Sequence, residues 1–427
     1  MQTGEIRRVA VLGGVRIPFA RAHGAYATVS NQDMLTAAFT GLVDRFGLAG
    51  EKLGDVAAGA VIKHSRDWNL ARESALGSGL DRSTPAFDIQ RACGTSLEAT
   101  ILLGNKIALG QTDSAIAGGV DTISDVPVVY NRGYQQLLLS SARGRSFWQK
   151  LKPWFGLRPR HFKPSFPDVV EPRTGLSMGQ STELMAKDWQ IRREDQDQLA
   201  MESHQKAAAA WEDGFYDDLV IGFNGLEQDN NIRADSSLKK LASLRTVFDR
   251  SDKGTLTAGN STPLTDGAAS VLLATEEWAQ AQGIPVQAYL TFGKFAAVDF
   301  VAKEGLLMAP AYAVSEMLKD AQLNLQDFDI YEIHEAFAAQ VLCTLKAWES
   351  EEFCRERLGR DVPLGSIDRN KMNLKGGSIA VGHPFAATGA RIVGTMAKLL
   401  HERGGGRGLI SVCTAGGMGV AAIMEAA

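Results

Sequence analysis

Two cysteines and two histidines in this chain stand where thiol chemistry can be built. Cys93 lies in Arg91-Ala92-Cys93-Gly94-Thr95-Ser96, between an extended stretch over 86–90 and apolar residues recurring at helical spacing (Leu97, Ile101, Leu102, Ile107, Leu109) until Gly110. A thiol at that junction sits at or near a helix N-terminus, where unpaired N–H groups and the helix dipole favour the nucleophilic thiolate. Taken alone, such a cysteine reads first as a buried structural residue. Cys413 opens Cys413-Thr414-Ala415-Gly416-Gly417-Met418-Gly419, a strand end beside a glycine turn whose N–H groups can face a ligand. His383 is pinned between Gly382 and Pro384, ahead of Ala386, Ala387, Gly389 and Ala390, small residues that permit close backbone approach. His334 heads His334-Glu335-Ala336-Phe337-Ala338 directly after an apolar strand, a place where a histidine can equally serve as a helix cap.

The elements that must position these four residues alternate. A strand at 9–13 leads through a loop with Pro18 to a helix at 31–46; a strand at 55–62, a short helix at 70–77 and a strand at 86–90 lead into Cys93 and its helix. A fourth strand at 113–118 is expected to close at Gly118-Gly119. Such alternation predicts a mainly parallel sheet covered by helices. From about residue 125 to 255 the pattern gives way to polar helices (181–189, 193–213) and long loops, an insertion over one end of the core. It resumes with a strand at 268–273, a helix at 276–282, a strand at 286–292, a helix at 311–321, a strand at 330–333, a helix at 336–348, the His383 turn with its helix to residue 400, and a terminal hairpin. The two halves echo each other: the Cys93 turn with its long helix and following strand resembles the His383 turn with its own. Back-to-back packing of two such halves would bring both turns to one end of the molecule.

Composition bounds the remaining classes. At 427 residues the chain can bury two or three cores, and a net charge of −4 with 22% charged and 45% apolar residues implies no general attraction to nucleic acid. Four cysteines (Cys93, Cys343, Cys354, Cys413) have no metal-ligand spacing and are too few for a disulfide framework, so no metal and a reducing, cytoplasmic location are expected. With charges but no following apolar run in Met1 to Arg8, no signal peptide is expected. The uncharged stretch 408–424 is divided by Gly416-Gly417 and reads as a core hairpin, not a membrane span. His23, His64, His161, His204 and His401 are expected at the surface or in loops, and Cys343 and Cys354 in structural roles.

Taken together, RACGTS, HEAFA, GGSIAVGHPFAATGAR and CTAGGMG, with Met178-Gly179-Gln180-Ser181-Thr182-Glu183 and Gly259-Asn260-Ser261-Thr262-Pro263-Leu264-Thr265-Asp266-Gly267, resemble the thiolase family over nearly the whole chain. Most of that family has Asn-Glu-Ala-Phe where this chain has His-Glu-Ala-Phe. The histidine, with Gly-His-Pro-Phe-Ala-Ala-Thr-Gly and Arg403-Gly404-Gly405-Gly406, is similar to the thiolase (β) subunit of the fatty-acid β-oxidation trifunctional complex. The resemblance implies an α/β thiolase-like fold: two duplicated βαβαβαββ halves in a layered α/β/α/β/α core, with an inserted loop domain. The halves would be 1–124, completed by about 256–282, and 283–427, around the insert 125–255.

The resemblance also implies roles. Cys93 accepts the acyl group of a 3-ketoacyl-CoA, His383 takes its proton, and Cys413 protonates the departing acetyl-CoA enolate. His383 and a water held by His334 stabilise that enolate, while the N–H groups of Cys93 and Ala415 hold the tetrahedral intermediate. Thr262 contacts the pantetheine of CoA and Arg233 its nucleotide. Coenzyme A is then a co-substrate with no tightly bound cofactor, in a homodimer or homotetramer that can meet a hydratase/dehydrogenase α subunit. A biosynthetic acetoacetyl-CoA thiolase is the near alternative, and a thiolase-like lipid-binding or scaffold protein without turnover the distant one. A decarboxylating condensing enzyme typically lacks the second cysteine. Independently of the resemblance, residues 140–164 carry Arg143, Arg145, Lys150, Lys152, Arg158, Arg160 and Lys163 with no acidic residue, interleaved with Phe147, Trp148, Leu151, Trp154, Phe155 and Leu157. Phe147, Leu151 and Trp154 are expected on one helical face, suited to an anionic membrane or a partner subunit.

Overall fold

Ten strands form one sheet, nine of them along a continuous path, in the computed structural model, which describes residues 6–167 and 169–427. They are β1 (Ala10–Arg16), β2 (Ala20–Arg21), β3 (Asp55–Ala58), β4 (Ala86–Asp88), β5 (Ser114–Asp121), β6 (Thr265–Ala274), β7 (Ala288–Ala297), β8 (Ile330–Ile333), β9 (Arg407–Thr414) and β10 (Met418–Ala426). The order is β4-β3-β5-β6-β1-β7-β10-β9-β8, with β2 paired to β6. Two arms meet where β1 touches β7 over Ala10↔Tyr289 and Val11↔Ala288. Leaving β2 aside, each arm runs outward from that junction through its first strand, its last, its penultimate and its second. The place of β4 is taken in the second arm by an isolated parallel bridge between Tyr331 and Met372. The halves therefore repeat one topology, with parallel strand pairing only at β4-β3-β5 and β9-β8. The sheet is mainly antiparallel and not mainly parallel as expected, because the last strand of each half runs antiparallel between its first and penultimate strands.

The helices Thr95–Ala108 and Thr388–Arg403 pack against strands of both arms and form the middle layer. On the outer faces, Asn31–Phe46 covers β1, β5 and β6, and Ala309–Ala321 covers β7, β9 and β10. Strands sandwiched this way must be apolar or small on both faces, and β5 and β6 are buried at every position. Three apolar clusters fill the spaces between layers: one in the middle around Leu97, Ile392 and Val420, and one under each outer helix. The middle helices cross at their first turns. A side chain on Gly389 would collide with the backbone of Leu97, and the Ala390 N–H donates to Ser96 Oγ at 2.8 Å. That crossing brings the turns preceding the two helices, which carry Cys93 and His383, to one end of the molecule.

Some expectations give way to packing. Gly118-Gly119 does not close a strand but lies inside β5, because a Cβ on Gly119 would strike the carbonyl of Ala386 in the His383 loop. The second strand ends at Ala58 instead of residue 62, since Val61 and Ile62 turn their N–H groups to the Asp121 carboxylate. The terminal hairpin forms as expected, with Cys413 opposite Gly419. Between β5 and β6 the described residues add no strand to the sheet, only a parallel bridge from Val220 to Arg16 at the end of β1; helices Met178–Asp188 and Arg193–Glu212 pack on Ala338–Glu349. No helix among the described residues is long and apolar enough to cross a membrane.

Helices Arg132–Arg143 and Phe147–Leu151, with the short turns that follow, form a lobe in which no helical residue is buried. The expected Phe147-Leu151-Trp154 face is split. Trp154 turns inward, donating Nε1–H to Ser141 Oγ at 3.0 Å and stacking edgewise on Tyr134. Phe147, Trp148 and Phe155 face solvent, 71%, 70% and 80% exposed, among the basic side chains.

Candidate active site

Cys93 sits on a sharp turn preceded by Ala92 in the left-handed region, φ 43°. Thr95 Oγ1 holds that turn, accepting the Arg91 N–H at 2.9 Å and donating to the Ala92 carbonyl at 2.7 Å. A Cβ on Gly94 would lie 2.8 Å from Val420 Cγ2 and 2.9 Å from Thr414 Cγ2, so the turn rests directly on the β9–β10 hairpin. The N–H groups of Ala415 and of Cys93 itself favour the charged sulfur. The helix opens only at Thr95, and burial dominates: it pushes the Cys93 thiol up to about 12 against those two N–H groups. Desolvation therefore opposes the resting thiolate that the helix terminus was expected to favour, at a sulfur that is only partly buried.

His383 completes the pair. Its Nε2 is 3.2 Å from Cys93 Sγ, its Nδ1 is 2.6 Å from Thr388 Oγ1, and its N–H donates to Thr265 Oγ1 at 2.8 Å. The Asp121 carboxylate, at the end of β5, takes the Ala386 N–H at 2.8 Å and ties the His383 loop to the N-terminal half. Burial, helped by the Arg391 charge, pushes the imidazole down to about 3. For His383 Nε2 to accept the thiol proton as sulfur attacks, the ring proton must lie on Nδ1 and be donated to Thr388 Oγ1.

His334 follows β8, its N–H donating to the Ser411 carbonyl at 2.8 Å, and its ring lies 4.2 Å from that of His383 between centroids. Its Nδ1 meets Ser378 Oγ at 2.9 Å, and its buried Nε2 has no protein partner among the described residues. Burial first, then His383 and Arg391, keep it from accepting a second proton. The next residue, Glu335, locks the turn: its carboxylate accepts from Ser203 Oγ at 2.7 Å, Asn373 Nδ2 at 2.6 Å and the Ile379 N–H at 3.3 Å. Cys413 is buried on β9, near enough to Cys93 that charge on one thiol opposes charge on the other, and burial raises its pKa far above the ordinary thiol value. The donor atoms of Cys93, His334 and His383 all lie within 4.8 Å of one another.

Thr262 and Arg233 line a cleft of about 720 Å³ with Arg21, Lys240, Phe248 and Leu264. The Thr262 N–H donates to the Ala336 carbonyl at 3.1 Å, joining the cleft wall to the His334 turn. His204, expected at the surface, is instead buried: its Nδ1 accepts the Arg233 N–H at 3.2 Å, and burial pushes its pKa down to about 4. Ala415 stands in the β9–β10 turn, where the next N–H, of Gly416, donates to Glu171 at 2.6 Å. A larger cavity of about 970 Å³, between helix Asn31–Phe46 and residues 217–223, holds none of these groups. Thr388, Ser378, Arg391, Thr265 and Asp121 were not foreseen in the site. The first three lie in the GGSIAVGHPFAATGAR motif, where a hydroxyl or guanidinium spaced to meet a histidine was the available signal.

Residues 9–277 match the family description "Thiolase, N-terminal domain" and residues 286–426 match "Thiolase, C-terminal domain". The chain is 42% identical over 424 residues to proteins named 3-ketoacyl-CoA thiolase from Yersinia pestis (strain Pestoides F) and Yersinia pseudotuberculosis serotype O:3 (strain YPIII), covering 98% of this chain and 97% of each relative. Among solved structures, the Bacillus anthracis acetyl-CoA acetyltransferase superposes with a TM-score of 0.82 at 29% identity, covering 100% of both chains. Human mitochondrial 3-ketoacyl-CoA thiolase superposes with a TM-score of 0.80 at 26% identity, covering 99% of this chain and 100% of that one.

Proposed function

The chain belongs to the thiolase family, and we propose that it is a 3-ketoacyl-CoA thiolase working in the degradative direction of fatty-acid β-oxidation. The observation that carries this reading is the Cys93–His383 pair, Sγ to Nε2 at 3.2 Å, on a turn that rests against the β9–β10 hairpin. Cys93 Sγ attacks the 3-keto carbon as its proton passes to His383 Nε2. The N–H groups of Cys93 and Ala415 receive the oxyanion that forms. Collapse breaks the C2–C3 bond, leaving the acyl group as a thioester on Cys93 and an acetyl-CoA enolate, whose thioester oxygen is held by His383 and by a water on His334. Cys413 then delivers a proton to the enolate carbon; its raised pKa suits an acid that must stay protonated until the carbanion develops. CoA thiol reopens the thioester, and no metal or bound cofactor enters any step. Thr262 and Arg233 bind pantetheine and nucleotide in the 720 Å³ cleft, with Arg21 and Lys240 supplying further positive charge for phosphates. The same reading divides the chain into halves 1–124 (with 256–282) and 283–427 around the loop domain 125–255. It also assigns a homo-oligomer and, with all four cysteines unpaired, a reducing cytoplasmic setting.

Thiolysis with CoA across a series of 3-ketoacyl-CoA chain lengths tests the function. Turnover that rises from the four-carbon substrate to longer chains supports the degradative role; activity confined to acetoacetyl-CoA returns the biosynthetic reading, and none at all returns the scaffold.

The basic, aromatic lobe we assign to docking, on anionic lipid or on a hydratase/dehydrogenase subunit, because seven unbalanced cations surround solvent-facing Phe147, Trp148 and Phe155. Each cation near an anionic surface contributes about 1 kcal/mol. Sedimentation with anionic and neutral vesicles at low and high salt, repeated with Lys150, Lys152, Arg158 and Arg160 changed to Gln, separates the two. Equal recovery in every supernatant removes the lipid; failure to co-purify with such a subunit removes the other.

A further inference from the structure

We infer that Ser378 and Arg391 are positioning residues that fix His334 as the tautomer protonated on Nε2, making its free nitrogen a permanent hydrogen-bond donor toward the reacting thioester. The inference rests on the thiolase reading of the site and adds to it what sets the proton.

The wiring follows from donor and acceptor capacity. Arg391 Nη2 donates to Ser378 Oγ at 2.9 Å, and a guanidinium cannot accept in return. The Ser378 hydroxyl has one proton, and its other partner is His334 Nδ1 at 2.9 Å. Ser378 therefore donates to Nδ1, Nδ1 is the acceptor, and the ring proton lies on Nε2. The opposite tautomer would aim two donors at one oxygen and strand the hydroxyl proton in a fully buried site. Arg391 is held in turn by Glu332, 3.6 Å away, with both side chains almost wholly buried. Its charge also opposes a second proton on His334, so the neutral Nε2–H form is kept.

Two consequences separate this from a structural hydrogen bond. A histidine wired this way does what the asparagine amide does in most of the family: it offers an N–H and never withdraws it. The same wiring argues against the Cys93, His334 and His383 cluster as a metal site. A metal would need the Nε2 lone pair, forcing the proton onto Nδ1 against Arg391 and Ser378.

The test begins with the unaltered protein. Histidine nitrogens are labelled with ¹⁵N, and the His334 signals are assigned by their loss in His334→Asn. The expected spectrum has a protonated Nε2 and an unprotonated Nδ1 that does not titrate through neutral pH; a proton on Nδ1 overturns the inference. A mutant cycle then reads the effect on turnover. Ser378→Ala should lower kcat on the order of tenfold to a hundredfold, less than loss of an oxyanion donor itself, with KM little changed. In the His334→Asn background, where no tautomer exists to be set, it should cost less than about twofold. An equal cost in both backgrounds would mean that Ser378 acts through packing alone. A protein that turns over no 3-ketoacyl-CoA would sink the functional reading while leaving the nitrogen spectrum to decide the wiring.

Discussion

The Ala390 N–H donates to the Ser96 hydroxyl at 2.8 Å, linking the first turns of two helices almost three hundred residues apart in sequence. Cys93 and His383 precede those two turns, so the distance from thiol to imidazole is set by how closely the helices cross.

Gly389→Ala tests that dependence. The added methyl meets the backbone of Leu97, and overpacking of this kind costs about 1–3 kcal/mol. Displacement of the His383 turn by about 1 Å should lower turnover on the order of a hundredfold. Thermal melting and steady-state rates check both, and a variant with normal rate would show that the crossing does not set the pair.

Cys413→Ala should still accept an acyl group on Cys93 from a simple acyl-CoA, detectable as an adduct on the peptide containing Cys93. Exchange of the acetyl-CoA methyl protons with solvent should be lost. Exchange at the wild-type rate would assign the proton to another group.

The ultraviolet thiolate absorbance of the wild type minus that of Cys93→Ala should be nil from about pH 6 to about pH 9, rising only beyond. The sign follows from burial, which raises the thiol to about 12 and lowers His383 to about 3, so the proton stays on sulfur throughout that range. A thiolate signal at neutral pH would mean an ion pair.

Thr388→Val keeps shape and removes the hydroxyl that meets His383 Nδ1 at 2.6 Å. A buried donor left without a partner costs about 1–3 kcal/mol. The expected result is a kcat lowered on the order of tenfold or more, with acylation of Cys93 slowed in proportion, since the base that takes the thiol proton is misaligned. Unchanged acylation would show that the imidazole is held by its ring packing alone.

Much of the arrangement was legible in the motifs, because chemistry and tight turns both demand particular residues at particular spacings. The strand at 330–333 and the helix at 31–46 were read at their observed bounds. What escaped was whatever depends on distant neighbours. Gly118-Gly119 reads as a stop until Ala386 is known to press on it, and His204 reads as a surface residue until Arg233 is folded over it. For Cys93 the local signal of the helix terminus is opposed by desolvation, which is set by every layer around the turn and not by the helix that follows. Ser378 and Arg391 were visible as letters, but their meaning needed the ring that Ser378 touches.

Strand β1 lies between β6 and β7, with Ala10 opposite Ala274 on one side and Tyr289 on the other. During synthesis the first strand to leave the ribosome therefore has no neighbour until more than half the chain has been made. At about 5–20 residues per second that wait is on the order of tens of seconds. Over that interval the apolar run from Ala10 to Val15 is an unprotected edge, and the nascent chain must be shielded by chaperones or by the outer helix Asn31–Phe46 folding back on it.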